Sequence, residues 1–221
     1  MNTKHYLIIL SLICCPVFLF AQRDVSRYVF EDFKEGKLVY KKGNAINSLF
    51  NYNTLDESMM FLSNDSTLYE LTNTEEVLYA NIDGRIFEHI KGGLFYERIN
   101  AGKEAFYIRW KSKNISKGKS SGYGMTSQAG SISNIETFGK DGRMVKLGVN
   151  ENFELKSENF YYIKIKKDFK RFSSADSLSK LFKNNADDIK EYAKRENLNF
   201  NNLEDIKKAV EYCSQYMPID K

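Results

Sequence analysis

Residues 76–111, EVLYANIDGRIFEHIKGGLFYERINAGKEAFYIRWK, contain four apolar and aromatic runs: Glu76–Ile82, Arg85–Ile90, Leu94–Ile99 and Ala105–Lys111. Asp83-Gly84, Gly92-Gly93 and Asn100-Ala101-Gly102 separate them. Asp-Gly and Gly-Gly accept the positive φ of tight hairpin turns, which β-branched and aromatic residues resist. Turns this closely spaced leave no room for the crossover helix that parallel strands need, so the runs read as an antiparallel meander.

Working outward, shorter runs precede it. Lys37–Lys42 ends at Gly43-Asn44, and Ser48–Tyr52, Met59–Leu62 and Thr67–Leu71 follow. Beyond the meander, Met144–Gly148, Phe153–Lys156 and Phe160–Lys166 read as further strands. In the last, a period of two puts Tyr161, Ile163 and Ile165 on one face and Tyr162, Lys164 and Lys166 on the other. Residues 112–134 are rich in serine and glycine and read as a long basic loop. Lys117 and Lys119 belong to it, and Tyr123 stands between Gly122 and Gly124.

All 13 glycines lie between Gly36 and Gly148, and the tail has a different character. Ser173 and Asp176 resemble a capping box ahead of Leu178, Leu181 and Phe182. A second helix is expected over about Asp187–Arg195. A third begins after Asn201-Asn202, with Leu203, Ile206, Ala209, Val210, Cys213 and Met217 at helical spacing. The fold class is therefore α+β. An antiparallel β sandwich, roll or partly closed barrel over 22–172 is followed by a small helical segment over 173–221. The helices are expected to pack through the stripe of Leu203 and Val210.

Residues 1–21 read as a signal peptide: Lys4 is its positive start, Tyr6–Phe20 its apolar core and Ala21 the small residue at the cleavage position. The expectation is export to the periplasm, the outer membrane or the medium, with no transmembrane span in the mature chain. Removing Lys4 lowers the formal charge from +4 to +3, too mild for a dedicated nucleic-acid binder. Of two histidines, His5 leaves with the leader, so His89 alone remains, and a triad or a histidine-rich zinc site within one chain is excluded. Cys213 is the only mature cysteine, which rules out an internal disulfide; on an apolar helix face it reads as a small buried hydrophobe.

No catalytic set, metal site or cofactor motif emerges. Gly118-Lys119-Ser120 ends like a phosphate-binding loop, but Lys113 stands where its first glycine belongs. Asp56-Glu57 and Glu75-Glu76 are adjacent carboxylates at expected turns and read as solvated surface. The basic aromatic strip with Lys164 and Lys166 suits phosphates or acidic glycans, and it also fits an edge strand guarded by lysine.

Several strings carry a resemblance: Gly36-Lys37-Leu38-Val39-Tyr40, Leu49-Phe50-Asn51-Tyr52-Asn53, Glu57-Ser58-Met59-Met60-Phe61, Gly122-Tyr123-Gly124-Met125, Leu181-Phe182 and Asp187-Asp188-Ile189-Lys190. Together they resemble a family of uncharacterised exported proteins from Bacteroidota-type Gram-negative bacteria. That group often has proline after the Leu-Phe pair, where Lys183 stands here. The resemblance implies an envelope location and supplies no catalytic residues. It draws attention to Asn51, Tyr52, Asn53 and Tyr123 as binding candidates, with turn chemistry the plain alternative for the Asn-Tyr-Asn string. The expectation is a non-enzymatic module that binds an envelope protein, a glycan or peptidoglycan; a structural role in envelope assembly is the alternative, and a carboxylate-dependent hydrolase the third.

Overall fold

The computed structural model describes residues 27–116, 119–121, 125–127 and 153–217. The first meander is β1 (Lys34–Tyr40), β2 (Ala45–Asn53), β3 (Ser58–Leu62) and β4 (Leu68–Glu70). The second is β5 (Val77–Ile82), β6 (Arg85–His89), β7 (Phe95–Ala101) and β8 (Glu104–Arg109), the four runs of the decisive stretch. Asp83 and Gly84 turn with φ of 50° and 80°, the doubly left-handed geometry of a two-residue hairpin, and Ile82 pairs with Arg85 across it.

After β8 come β9 (Ser112–Ser116), β10 (Lys119–Ser121), β11 (Met125–Ser127), β12 (Phe153–Ser157), β13 (Phe160–Ile165) and β14 (Asp168–Phe172). The stretch expected as an open loop from 112 is thus partly strand. β9 pairs with β12, and β10 with β11. The expected leader (1–21), the expected strand Met144–Gly148, Lys117 and Tyr123 lie outside the described residues.

Ten strands form one antiparallel sheet in the order β14-β13-β8-β7-β6-β5-β1-β2-β3-β4. It does not close, and one face of it is covered in two ways. At the β1–β7 end the sheet rolls over itself around Leu38, Phe50, Tyr52, Met59, Val77, Ile82, Phe87 and Phe95. Tyr52 of β2 stacks on Phe87 of β6 at 5.9 Å although β1 and β5 lie between their strands. At the other end three helices cover the same face: α1 (Ala175–Ser179), α2 (Ala186–Arg195) and α3 (Leu203–Cys213). Ala101, Phe106, Ile108, Ile163 and Phe172 meet Leu178, Ile189, Ile206 and Val210 there. Burying side chains such as Ile206 and Val210 stabilises the contact by about 1.5–3 kcal/mol each.

Helix details differ from expectation at two points. The capping box uses Ser174 with Ser177, because a serine hydroxyl is long enough to reach back to the cap's N–H. Leu203 is 37% exposed: it opens α3 just beyond the N-cap Asn202, and the stripe buries only from Ile206 onward. The strand alternation of β13 is as read, with Ile163 buried and Tyr161 and Ile165 against the helical core.

Trp110 packs against both cores and marks their junction. Beside it the Glu97 carboxylate, 3% exposed, accepts two bonds from Arg85 and one from the indole N–H, all at 2.6 Å. The Arg85 guanidinium also lies 4.6 Å from the Phe30 ring centroid. Cys213 is fully buried, and burial pushes its thiol up to about 12, away from nucleophile chemistry.

Candidate functional site

The Asn51-Tyr52-Asn53 string does not present its side chains to a partner. All three are buried at 2% exposure or less. The Asn51 side chain bonds both backbone groups of Phe30, its amide donating to the carbonyl at 2.9 Å and its oxygen accepting from the N–H. It thereby ties the irregular N-terminal segment alongside β2. Asn53 closes the β2–β3 turn: its oxygen accepts from the backbone of Leu55 and Asp56, and its amide donates to the Asp56 carboxylate at 2.6 Å. Tyr52 belongs to the rolled core.

The surface with chemistry on it is the sheet face opposite the helices. Alternation sends Tyr96 and Arg98 of β7, Tyr107 and Arg109 of β8, Phe160, Tyr162 and Lys164 of β13, and Phe169 and Arg171 of β14 to that face. Tyr162 lies opposite Tyr107 on one side and Arg171 on the other; Lys164 lies opposite Phe169. Tyr96 and Tyr162 stack at 5.0 Å, and Phe169 sets its edge against Tyr107 at 4.8 Å and Tyr96 at 5.7 Å. Phe169 and Tyr96 sit on strands with two others between them, so the sheet curls toward this face. Tyr96 and Tyr107 are 7% and 5% exposed there, with no helix over them among the described residues. Burial and the neighbouring Tyr162 push the Tyr96 phenol up to about 12.

Cations rim the rings. Arg171 lies 4.0 Å from the Phe160 centroid and Lys164 lies 5.6 Å from that of Phe169. Neither forms a salt bridge among the described residues, and both are exposed; the Glu158 carboxylate, paired with Lys113 at 2.7 Å, also feels the charge of Arg171. A guanidinium laid flat over a ring holds its N–H groups in a plane parallel to the ring, with their edge open to a carboxylate or phosphate. Arg98 is only loosely paired, 3.6 Å from Glu88. Lys166 does not join this rim through the strand alternation: β13 ends at Ile165, and Lys166 takes a left-handed turn position with φ of 56°. The Lys119 backbone lies in β10, which pairs with β11 and is not a strand of the ten-stranded sheet.

At one margin Glu57 meets Arg109 and Lys111. Its carboxylate accepts from Arg109 Nη2 at 2.8 Å and from Lys111 Nζ at 3.1 Å, and it is 11% exposed. Glu57 is thus no solvated turn residue, unlike Glu75 and Glu76, which are 69% and 60% exposed. Its left-handed φ of 56° in the β2–β3 turn carries the side chain across to β8. Burial alone would raise its carboxyl, but the bonds from Arg109 and Lys111 outweigh that and hold it below the usual range. The ion pair leaves the margin with a surplus cation.

Two other places were open to chemistry. A cavity of about 270 Å³ lies between the β2–β3 turn and Gly92-Gly93, lined by Asp56, Glu57, Glu70, Thr72 and Thr74 among others. Asp56 is tied to Arg27 at 2.8 Å, so the cavity's carboxylates are largely in use. The His89 side chain is 3% exposed and packs on Phe95, 3.9 Å from Glu75, and burial lowers its pKa. No group of residues suited to hold a metal ion occurs among the described residues.

No protein-family model, curated protein or solved structure matches this chain. The site therefore rests on its own geometry. Lys164 was legible in the sequence as a member of this face. Phe169 and Arg171 were not, because FKRF mixes charge and ring on both faces of its strand. Arg109 shows in the sequence only as part of the run Ala105–Lys111, and Glu57 as surface; the pairing of the two spans 52 positions and leaves no local signal.

Proposed function

We propose that the chain is an exported, non-enzymatic binding module of the cell envelope whose open sheet face holds an anionic partner. The observation that carries this is the pair Arg171–Phe160 and Lys164–Phe169: two exposed cations set over rings, neither in a salt bridge among the described residues. The same geometry favours anions over neutral sugars, since the ring faces that would stack on a sugar are taken by the cations. The leader-like residues 1–21 support an envelope location. No helix among the described residues is long and apolar enough to cross a membrane. A hydrolase is less well supported, because Glu57 and Glu97, each nearly withdrawn from solvent, are both clasped by arginine and poorly placed to donate a proton.

The test is affinity for polyglutamate, polygalacturonate and polyphosphate against neutral dextran at low and moderate salt. The purified protein is expected to bind at least one polyanion, more weakly as salt rises. Reversing both charges, Lys164→Glu with Arg171→Glu, should weaken binding by about tenfold or more, an effect of about 1.4 kcal/mol, with the thermal midpoint little changed. Equal binding of dextran, or a variant that binds as the parent does, would overturn the reading.

A further inference from the structure

We infer that the outer edge of β14 takes up an acidic, extended segment of a partner protein as an added strand, with its carboxylates set against Arg171 and Lys164. This rests on the reading of the open face as an anion-holding surface. Four observations support it.

First, β14 ends the sheet: it pairs with β13 on one side, and no strand pairs with it on the other among the described residues. Alternate backbone N–H and C=O groups of Asp168–Phe172 therefore point away from the sheet, the arrangement that strand addition uses. Second, Lys166–Phe172 reads KKDFKRF, four cations to one carboxylate, so the edge attracts an acidic strand. Third, the face beside the edge is prepared. A strand laid along β14 puts alternate side chains next to Phe169 and Arg171, and its acidic residues reach the open guanidinium edge of Arg171. Fourth, a second copy of the chain fits poorly. Two β14 edges set lysine and arginine against each other, and β4, at the other end of the sheet, is three residues long. Cations along an edge keep copies apart without excluding a strand of opposite charge.

The probe is a fluorescein-labelled peptide alternating glutamate and valine, Glu-Val-Glu-Val-Glu-Val-Glu. Two companions are N-methylated at one or the other alternate set of backbone amides, and polyphosphate is measured in parallel by competition. The parent peptide is expected to bind. One N-methylated companion should lose about tenfold or more in affinity while the other binds nearly as the parent does, because only one set faces the edge. Arg171→Ala should weaken the parent peptide. If both N-methylated peptides bind as the parent while Arg171→Ala weakens all three, strand addition is overturned and the anion-holding face stands. If neither the peptides nor polyphosphate binds, both fall together.

Discussion

Replacing Arg85 with alanine should destabilise the protein by about 3–5 kcal/mol, the usual cost of stranding one partner of a buried ion pair. That is a large part of the 5–15 kcal/mol by which a domain is ordinarily stable. The two partners are unequally placed. Glu97 is 3% exposed and Arg85 33%, so loss of the arginine leaves a carboxylate that water does not reach. The variant also removes the guanidinium from the Phe30 ring, at the join between the rolled core and the helical core. Glu97→Ala should cost less, because the stranded Arg85 keeps a third of its side chain in solvent. The double replacement Arg85→Leu with Glu97→Leu should cost less than Arg85→Ala alone, since no buried charge remains. Urea unfolding followed by the fluorescence of Trp110, the sole tryptophan, reads the change at the site itself. A loss below about 1 kcal/mol for Arg85→Ala would show that water or another group compensates Glu97.

Gly36→Ala should cost about 2–3 kcal/mol through overpacking. Gly36 sits within β1, between β2 and β5. A Cβ there would lie 2.8 Å from the Asn81 carbonyl oxygen and 2.9 Å from a ring carbon of Phe50. The first is backbone in a ladder and the second is a fully buried ring, so neither can move aside cheaply. Gly43→Ala is the control. Its φ of 88° is unfavourable for alanine, but nothing lies within 4 Å of the added carbon, so its cost should stay near 1 kcal/mol. Equal midpoints for the two variants in urea would contradict the close approach at Gly36.

These two sites mark the limits of what the sequence reveals. Hairpins were legible because their signals are local: Asp83-Gly84 and Gly92-Gly93 carry the positive φ that their turns require. The stripe of α3 was legible for the same reason, a fixed spacing within eleven residues. Strand neighbours distant in sequence were not. β5 returning beside β1, and β13 pairing with β8, depend on the whole sheet, and period-two patterning is silent on which strand lies alongside. Buried charge was the other blind spot. Glu97 and Glu57 look like solvated acids in sequence, and only the fold brings Arg85 and Arg109 to them. The Asn-Tyr-Asn string misled in the opposite sense: polar side chains suggested a surface, while their bonds go to the chain's own backbone.

The open face of β8, β13 and β14 as the place where an anionic partner is held is tested most directly by hydrogen–deuterium exchange with and without saturating polyglutamate. The expected result is slowed exchange in peptides covering residues 104–111 and 160–172, with α2 and α3 unchanged. Slowed exchange confined to the helices, or none in residues 160–172 although polyglutamate binds, would contradict it.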